Sequence, residues 1–351
     1  MAASPMSALR GALERILEVQ TAQGAIPWFE DGPWDPWNHT ESAMALSVMG
    51  EHEAAEAAYD HLRRTQRPDG AWMGEYGSAL PMADRLHMAR QPAPTFLDSN
   101  FIAYPAVGAW HRFRVVGDRN QAERDYEMVA AALDFVLTLQ TEHGDVSWSA
   151  EAVGTDVDDA LVAGCSSIAK SLECGAALAA AIGADGARFL EARRRLVAAL
   201  RHKPERFDRS GKNARFAMDW YYPALAGVLP QAEAMARLKK GAPRFLTAKH
   251  GCRCVEDEPW ATAAETAELS LAWAAVREFG AAAGCLQQAC AMADEGGALW
   301  MGWQTQEKIF WPRERPSWTQ AAVILAADAI YGVSRGARVL ITPALEFSEN
   351  S

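Results

Sequence analysis

Residues 35–72 read DPWNHTESAMALSVMGEHEAAEAAYDHLRRTQRPDGAW: a polar and aromatic lip, a helix, a tight turn at Gly50-Glu51, a second helix, and a Gln-rich exit. Ala43, Met44, Leu46 and Val48 give the first helix an apolar surface, Thr40 is placed to cap it, and Gly50 can adopt the left-handed conformation that stops it. This is a helical hairpin with its polar and aromatic residues gathered at one end. The same grammar returns at 98–148, where DSNFIAYPAVGAWHRFRVV turns at Gly117-Asp118 into QAERDYEMVAAALDFVLTLQ and leaves through HGDVSW. It returns again at 164–207, turning at Gly183. A helix pair of this size cannot bury its apolar faces alone, so the recurrence predicts stacked neighbours. The expected fold is all-α, an (α/α)6 barrel closed from six hairpins.

Further helices are expected over 7–20, 99–116, 120–140, 165–182, 186–201, 218–228, 230–240, 261–277 and 280–293, with a last one ending near Tyr331 and pairing with the first. One domain spans 1–335, and 336–351 read as a frayed tail. Residues 73–97 form a long irregular connection, too long for a turn, of the kind that serves as a lip or lid.

Half of the 351 residues are hydrophobic, and no Pro/Gly/Ser-rich linker divides them. A formal net charge of -11 argues against nucleic acid or an anionic membrane as the main partner, since both reward basic patches. The start MAASPMSALRGALERILEVQ lacks the pattern of a signal peptide, and no stretch reads as long and apolar enough to span a bilayer, so a cytoplasmic protein is expected. Six cysteines spread through a chain of this size do not form a disulfide framework. His250, Cys252 and Cys254 lack a second dithiol at zinc spacing, and no phosphate-cradling glycine loop is present, so no metal or cofactor is expected. Ser166 and Ser167 lack the context of a nucleophile elbow.

In a ring of hairpins the short turns gather at one rim and the long loops at the other, so chemistry belongs at the long-loop rim. The loops hold Trp28, Trp34, Trp37, Trp72, Trp148, Trp220, Trp260, Trp300, Trp303, Trp311 and Trp318, leaving Trp110 and Trp273 inside helices. Flat indoles can stack on sugar rings or hold a carbocation, and they can also plug the end of a barrel. Carboxylates crowd the same rim: Asp35, Glu41, Asp98, Asp156, Asp158, Asp159, Asp219, Glu256, Asp257, Glu258, Glu265, Glu307 and Glu314. Several precede helices, where N-capping competes with chemistry. TDVDDA is the densest group; three carboxylates so close cannot all ionise cheaply, and one raised pKa is the condition for a general acid.

Two resemblances attach to these residues, and both imply an α/α ring. Residues 39–72, 98–137 and 259–297 resemble hairpins one, two and five of glucoamylase-like glycosidases. The resemblance implies a catalytic acid shortly before the helix SSIAKSLECGAALAAAIG, which falls on Asp158. The family's general base follows the fifth hairpin, where this chain has Leu299-Trp300-Met301-Gly302-Trp303 and Glu307 is the nearest carboxylate. That departs from the pattern inverting hydrolysis needs, since a second carboxylate must activate water. The second resemblance is to terpenoid cyclases and protein prenyltransferases: QRPDGAW (66–72) matches QxxxGxW, and DVDD (156–159) matches the DxDD acid motif, which again selects Asp158. The DPWNH, DSNF, DWYYP, RCVEDEPW and SWTQAA blocks also resemble a bacterial group loosely labelled prenyltransferase.

The leading expectation is a carbohydrate-active enzyme acting on a small-molecule substrate. Asp158 serves as acid with Asp156 and Asp159 beside it, and Glu307 or Glu265 as base. Trp37, His39, Glu41, Asp98, Asn100, Asp219, Trp220, Tyr221, Arg253, Asp257, Trp260, Trp303, Trp311 and Trp318 form the substrate surface. The alternatives are a class II terpene cyclase using the DxDD motif and a non-catalytic binding module of the same fold.

Overall fold

The computed structural model describes residues 5–77, 96–150 and 159–345. Its helices are α1 (Arg10–Val19), α2 (Pro36–Val48), α3 (His52–Thr65), α4 (Ser99–Ala103), α5 (Pro105–Val116), α6 (Arg119–Thr138), α7 (Val162–Ile182), α8 (Ala187–His202), α9 (Ala217–Leu225), α10 (Gln231–Phe245), α11 (Ala263–Ala275), α12 (Phe279–Cys290) and α13 (Ser317–Tyr331). Helices α2, α5, α7, α9, α11 and α13 each pack on the next, and α13 packs back on α2, closing an inner ring. Helices α3, α6, α8, α10 and α12 pair outside their predecessors, and α1 lies against α13. This is the expected (α/α)6 barrel.

The two rings differ in sequence as their burial demands. Inner helices are covered on all sides, so α7 buries a continuous run from Cys165 to Ala179, rich in Ala, Ser and Gly. Outer helices bury one stripe, as α3 does with Ala55, Ala58, Tyr59 and Leu62. By length and composition α7 could cross a bilayer, contrary to the sequence expectation, but most of its apolar window is packed within the ring. Inner-to-outer turns are tight: Gly50 and Gly117 take φ of 86° and 80°, a conformation that stops each helix without a Cβ clash.

The long connections run the other way, from each outer helix to the next inner one, and they share a staple. At the end of α3, the Gln66 amide donates to Gly70 O in its own loop (2.8 Å) and to Met128 O on α6 (2.9 Å). Gln140 joins Gly144 O and Ala192 O in the same way, and Gln20 joins Gly24 O and Ala54 O. Trp72 is buried with its Nε1 donating to Leu62 O. The QxxxGxW stretch is thus used here to tie neighbouring hairpins together.

Three local expectations change. Asp35, not Thr40, caps α2 by accepting from Asn38 N at 2.9 Å, while the Thr40 hydroxyl donates to Pro36 O inside the helix. The inner helix expected over 99–116 breaks at Tyr104, because Pro105 cannot donate to the preceding turn. Residues 336–345, expected as a frayed tail, are docked: Ala337, Val339 and Ile341 are buried, and Glu173 accepts from Ala344 N. Glu173 is itself buried between Lys170 Nζ (3.0 Å) and Arg193 Nη2 (2.7 Å), and Lys170 also donates to Thr342 O (2.7 Å).

Candidate active site

Helix α7 starts at the long-loop rim between α4 and α9. Over its first turn lies a cavity of about 260 Å³. Asp98, which caps α4, and Asn100 of α4 stand on one side and Asp219 and Met218 of α9 on the other, with Trp37, Trp148, Phe101 and Phe216 completing much of an apolar wall. Short strands fix the loop side. Leu97–Asp98 pairs antiparallel with Ser149–Ala150, Ser99 N donates to Trp148 O (2.9 Å), and Trp148 N donates to Asp159 O (2.8 Å). The indole of Trp148 is thereby carried on a backbone tied at both ends.

The polar groups are few. Asp98 Oδ1 caps α4, accepting from Asn100 N (2.9 Å) and Phe101 N (3.0 Å), and burial pushes its carboxyl up to about 7 despite those bonds. Asp219 Oδ1 accepts from Ala163 N at 3.1 Å; burial again pushes the carboxyl up to about 7. Two carboxyls near half-protonation at neutral pH thus flank the start of α7. Asn100 Oδ1 is buried with no hydrogen-bond partner among the described residues, an acceptor suited to a ligand hydroxyl or a water. At the rim, the Glu265 carboxylate accepts from Thr262 Oγ1 and neighbours the cavity-lining Cys254.

Below the cavity a second layer holds it in shape. Trp37 Nε1 donates to Glu41 Oε1 (2.9 Å), which also accepts from the Tyr104 hydroxyl (2.9 Å). Glu268 accepts from the Tyr221 hydroxyl. Glu41 and Glu268 line a narrow space of about 20 Å³ together with Tyr104, Ser167, Lys170 and Tyr222, room for about one water. Burial pushes Glu41 up to about 7, and burial followed by the charge of Glu41 raises Glu268 well above the carboxylate range. At neutral pH this pair therefore carries at least one proton.

The remaining sequence candidates separate into those near the cavity and those spent elsewhere. Asp156 and Asp158 lie outside the described residues. Asp159 is buried, accepting from the backbone N–H of Arg209 and Ser210 (both 3.1 Å) and pairing with the Arg209 guanidinium (3.3 Å), so it anchors the loop before α9. Glu307 is exposed in the turn of the hairpin formed by Gly302–Gln304 and Ile309–Phe310, where its own N–H binds Gln304 Oε1, and it does not line this cavity. His39 is not a hydroxyl ligand: Nδ1 accepts from Ile26 N and Nε2 donates to Ala58 O, both at 3.0 Å, and burial lowers its pKa to about 3. Both ring nitrogens are consumed in joining the loop before α2 to α3.

Most of the tryptophans expected on the substrate surface pack against other aromatic rings instead. Trp220 stacks on Phe245 at 5.2 Å and donates to Arg237 O, facing α10. Trp303 stacks on His250 at 4.9 Å, Trp260 donates to Trp311 O and meets that indole edge-on, and Trp318 packs edge-on against Trp28 and Phe29. Among the tryptophans, only Trp37 and Trp148 line the cavity over α7. Asp257 is exposed and paired with Arg215, and Arg253 reaches Arg244 O and Glu256 O at 3.4 Å on the outer rim. Sequence reading missed Tyr104, Tyr222 and Glu268. An acid inside the apolar run AELSLAW of α11 was the available signal for the last.

No model of a known protein family matches the chain. It is 39% identical over 327 residues, 93% of this chain and 87% of the relative, to the MMP endo-(1,4)-3-O-methyl-alpha-D-mannosidase of Mycolicibacterium hassiacum. Solved structures share the fold at low identity. A glycosidase variant in complex with glucose superposes with TM-score 0.68 at 14% identity, covering 93% of this chain and 97% of that one. The GH63 mannosylglycerate hydrolase of Thermus thermophilus, in complex with glucose, gives 0.67 at 13%, covering 92% and 99%. This chain belongs to the family of the mycobacterial endo-mannosidase and is a glycoside hydrolase-like enzyme.

Proposed function

We propose that the enzyme cleaves internal α-1,4 bonds in chains of 3-O-methylated mannose, with the cavity over α7 as its site. The observation that carries the reading is the 39% identity to an enzyme of that name along nearly the whole chain. The cavity supports it independently. O-methylation replaces a hydroxyl with an ether that needs no acceptor and presents a methyl to be buried. A wall of Trp, Phe, Val, Leu and Met with few polar groups suits that sugar better than a bare hexose.

In the hydrolysis the bond from the anomeric carbon to the glycosidic oxygen breaks, an acid protonates the departing oxygen, and a water delivers hydroxide after losing its proton to a base. Asp98 and Asp219 both line the cavity with carboxyls raised to about 7, but Asp98 is held as the cap of α4 by two backbone N–H groups while Asp219 accepts from one, so Asp219 is the described carboxyl better suited to donate. Asp158 keeps the role that the glucoamylase resemblance gives it, and the two are separated experimentally below. Glu265 is the proposed base at the rim. Asp98 and Asn100 bind sugar oxygens, Trp37 and Trp148 stack on the rings, and Glu41 positions the Trp37 indole. The test is digestion of 3-O-methylated α-1,4-mannose oligosaccharides read by mass spectrometry. Internal fragments are expected; release of single terminal sugars alone contradicts endo action.

A further inference from the structure

A second cavity, of about 440 Å³, lies between the 207–214 loop and the C-terminal half of α10. It adjoins the cavity over α7. Asp219 lines both, and Val162 and Ala214 on this side are chain neighbours of Ala163 and Asn213 on the other. Its polar wall comes from α10, where Arg237, Lys240 and Arg244 recur at near-helical spacing. Gly241 keeps this wall close to its floor: a Cβ there would stand 2.2 Å from Trp220 Nε1.

The charges are unequally spent. Asp208 accepts from the backbone N–H of Lys212, Asn213 and Ala214, Arg237 donates to the carbonyls of Trp220 and Asp219, and Arg244 pairs with Glu256. Lys240 is exposed and has no partner among the described residues. The groove therefore presents donors in excess of acceptors. Arginine and lysine can only donate, and an O-methylated sugar is depleted in donors while keeping its ether oxygens as acceptors.

We propose that this groove holds the sugars that continue past the scissile bond on one side of a polymeric substrate. The inference rests on the endo-mannosidase reading. An endo-acting site must let the chain run on beyond the cleavage point, and this groove leads away from Asp219 along the outside of the barrel with Lys240 as its principal free donor.

The experiment compares kcat/KM on short and long 3-O-methylated α-1,4-mannose oligosaccharides for the wild type, Lys240→Ala and Lys240→Arg. The wild type gains in kcat/KM with length. Lys240→Ala shrinks that gain about tenfold, the worth of one charge-assisted hydrogen bond, and Lys240→Arg largely restores it. Cleavage with no length gain, or with a gain unchanged in Lys240→Ala, overturns the groove and leaves the hydrolase reading standing. Absence of cleavage at every length overturns both.

Discussion

Replacing Asp219 by Asn keeps the shape of the side chain, and its carbonyl can still accept from Ala163 N, but it removes the acidic proton. General acid catalysis contributes roughly 10²–10⁴-fold, so kcat/KM on a methylated mannose oligosaccharide should fall by about that factor. The pH profile gives a second magnitude. Burial holds the Asp219 carboxyl at about 7, so its protonated fraction, and kcat/KM with it, falls about tenfold per pH unit on the alkaline side. A substrate with a nitrophenyl leaving group needs no proton to depart, so Asp219→Asn should cleave it nearly as fast as the wild type. The assay is a pair of pH profiles on the natural and activated substrates, run beside Asp158→Asn. Equal losses on both substrates would refute the donor role and leave Asp219 as a sugar ligand. A leaving-group-dependent loss in Asp158→Asn instead would assign the donor to Asp158.

Three further outcomes are expected. Trp148→Ala removes an indole lining the cavity; burying roughly 80 Å² of sugar and ring surface at about 25 cal/mol per Å² is worth ~2 kcal/mol, so KM should rise about thirtyfold in steady-state kinetics with kcat less affected. Glu173→Gln leaves the Lys170 and Arg193 charges buried without their anion and should destabilise by about 3–5 kcal/mol in urea unfolding; a loss under about 1 kcal/mol would show that the docked C-terminal segment does not depend on this triad. Asp35, Asp98, Asp219 and Glu41 have folded pKa values of about 6, 7, 7 and 7, above their unfolded values. Their contribution to stability is fully present below the unfolded pKa and is lost as pH rises through the folded values of about 6 to 7, so Tm should decline between about pH 5 and 7 in calorimetry and level off above; a Tm rising across that window contradicts the assigned protonation.

The ring was legible because its determinants are local. Each helix carries its own period, Gly50 and Gly117 mark their turns, and the Ala-rich run of α7 declares a helix buried on all sides. The site was legible only in part. Asp98, Asn100 and Asp219 stand at the starts of inner helices, which topology sends to one rim, so reading them together was sound. His39 misled because a histidine facing two backbone groups looks, in sequence, like one facing a ligand. The tryptophans misled for a related reason: Trp37, Trp220 and Trp318, expected in loops, lie in the first turns of α2, α9 and α13, and an indole at a rim can line a cavity or brace a neighbouring segment, as in the pairings of Trp303 with His250 and Trp318 with Trp28, which join segments far apart in the chain. The Glu41 and Glu268 layer depends on α2 and α11 meeting across the barrel, a register that no stretch of sequence records.

One digestion tests the endo-mannosidase reading most directly. Purified enzyme is incubated with a 3-O-methylated α-1,4-mannose oligosaccharide and, in parallel, its unmethylated counterpart, and the products are sized by mass spectrometry. Internal cleavage of the methylated chain, with the unmethylated chain cut much more slowly, is the predicted result. Equal or faster cleavage of the unmethylated chain, or none of either, would contradict it.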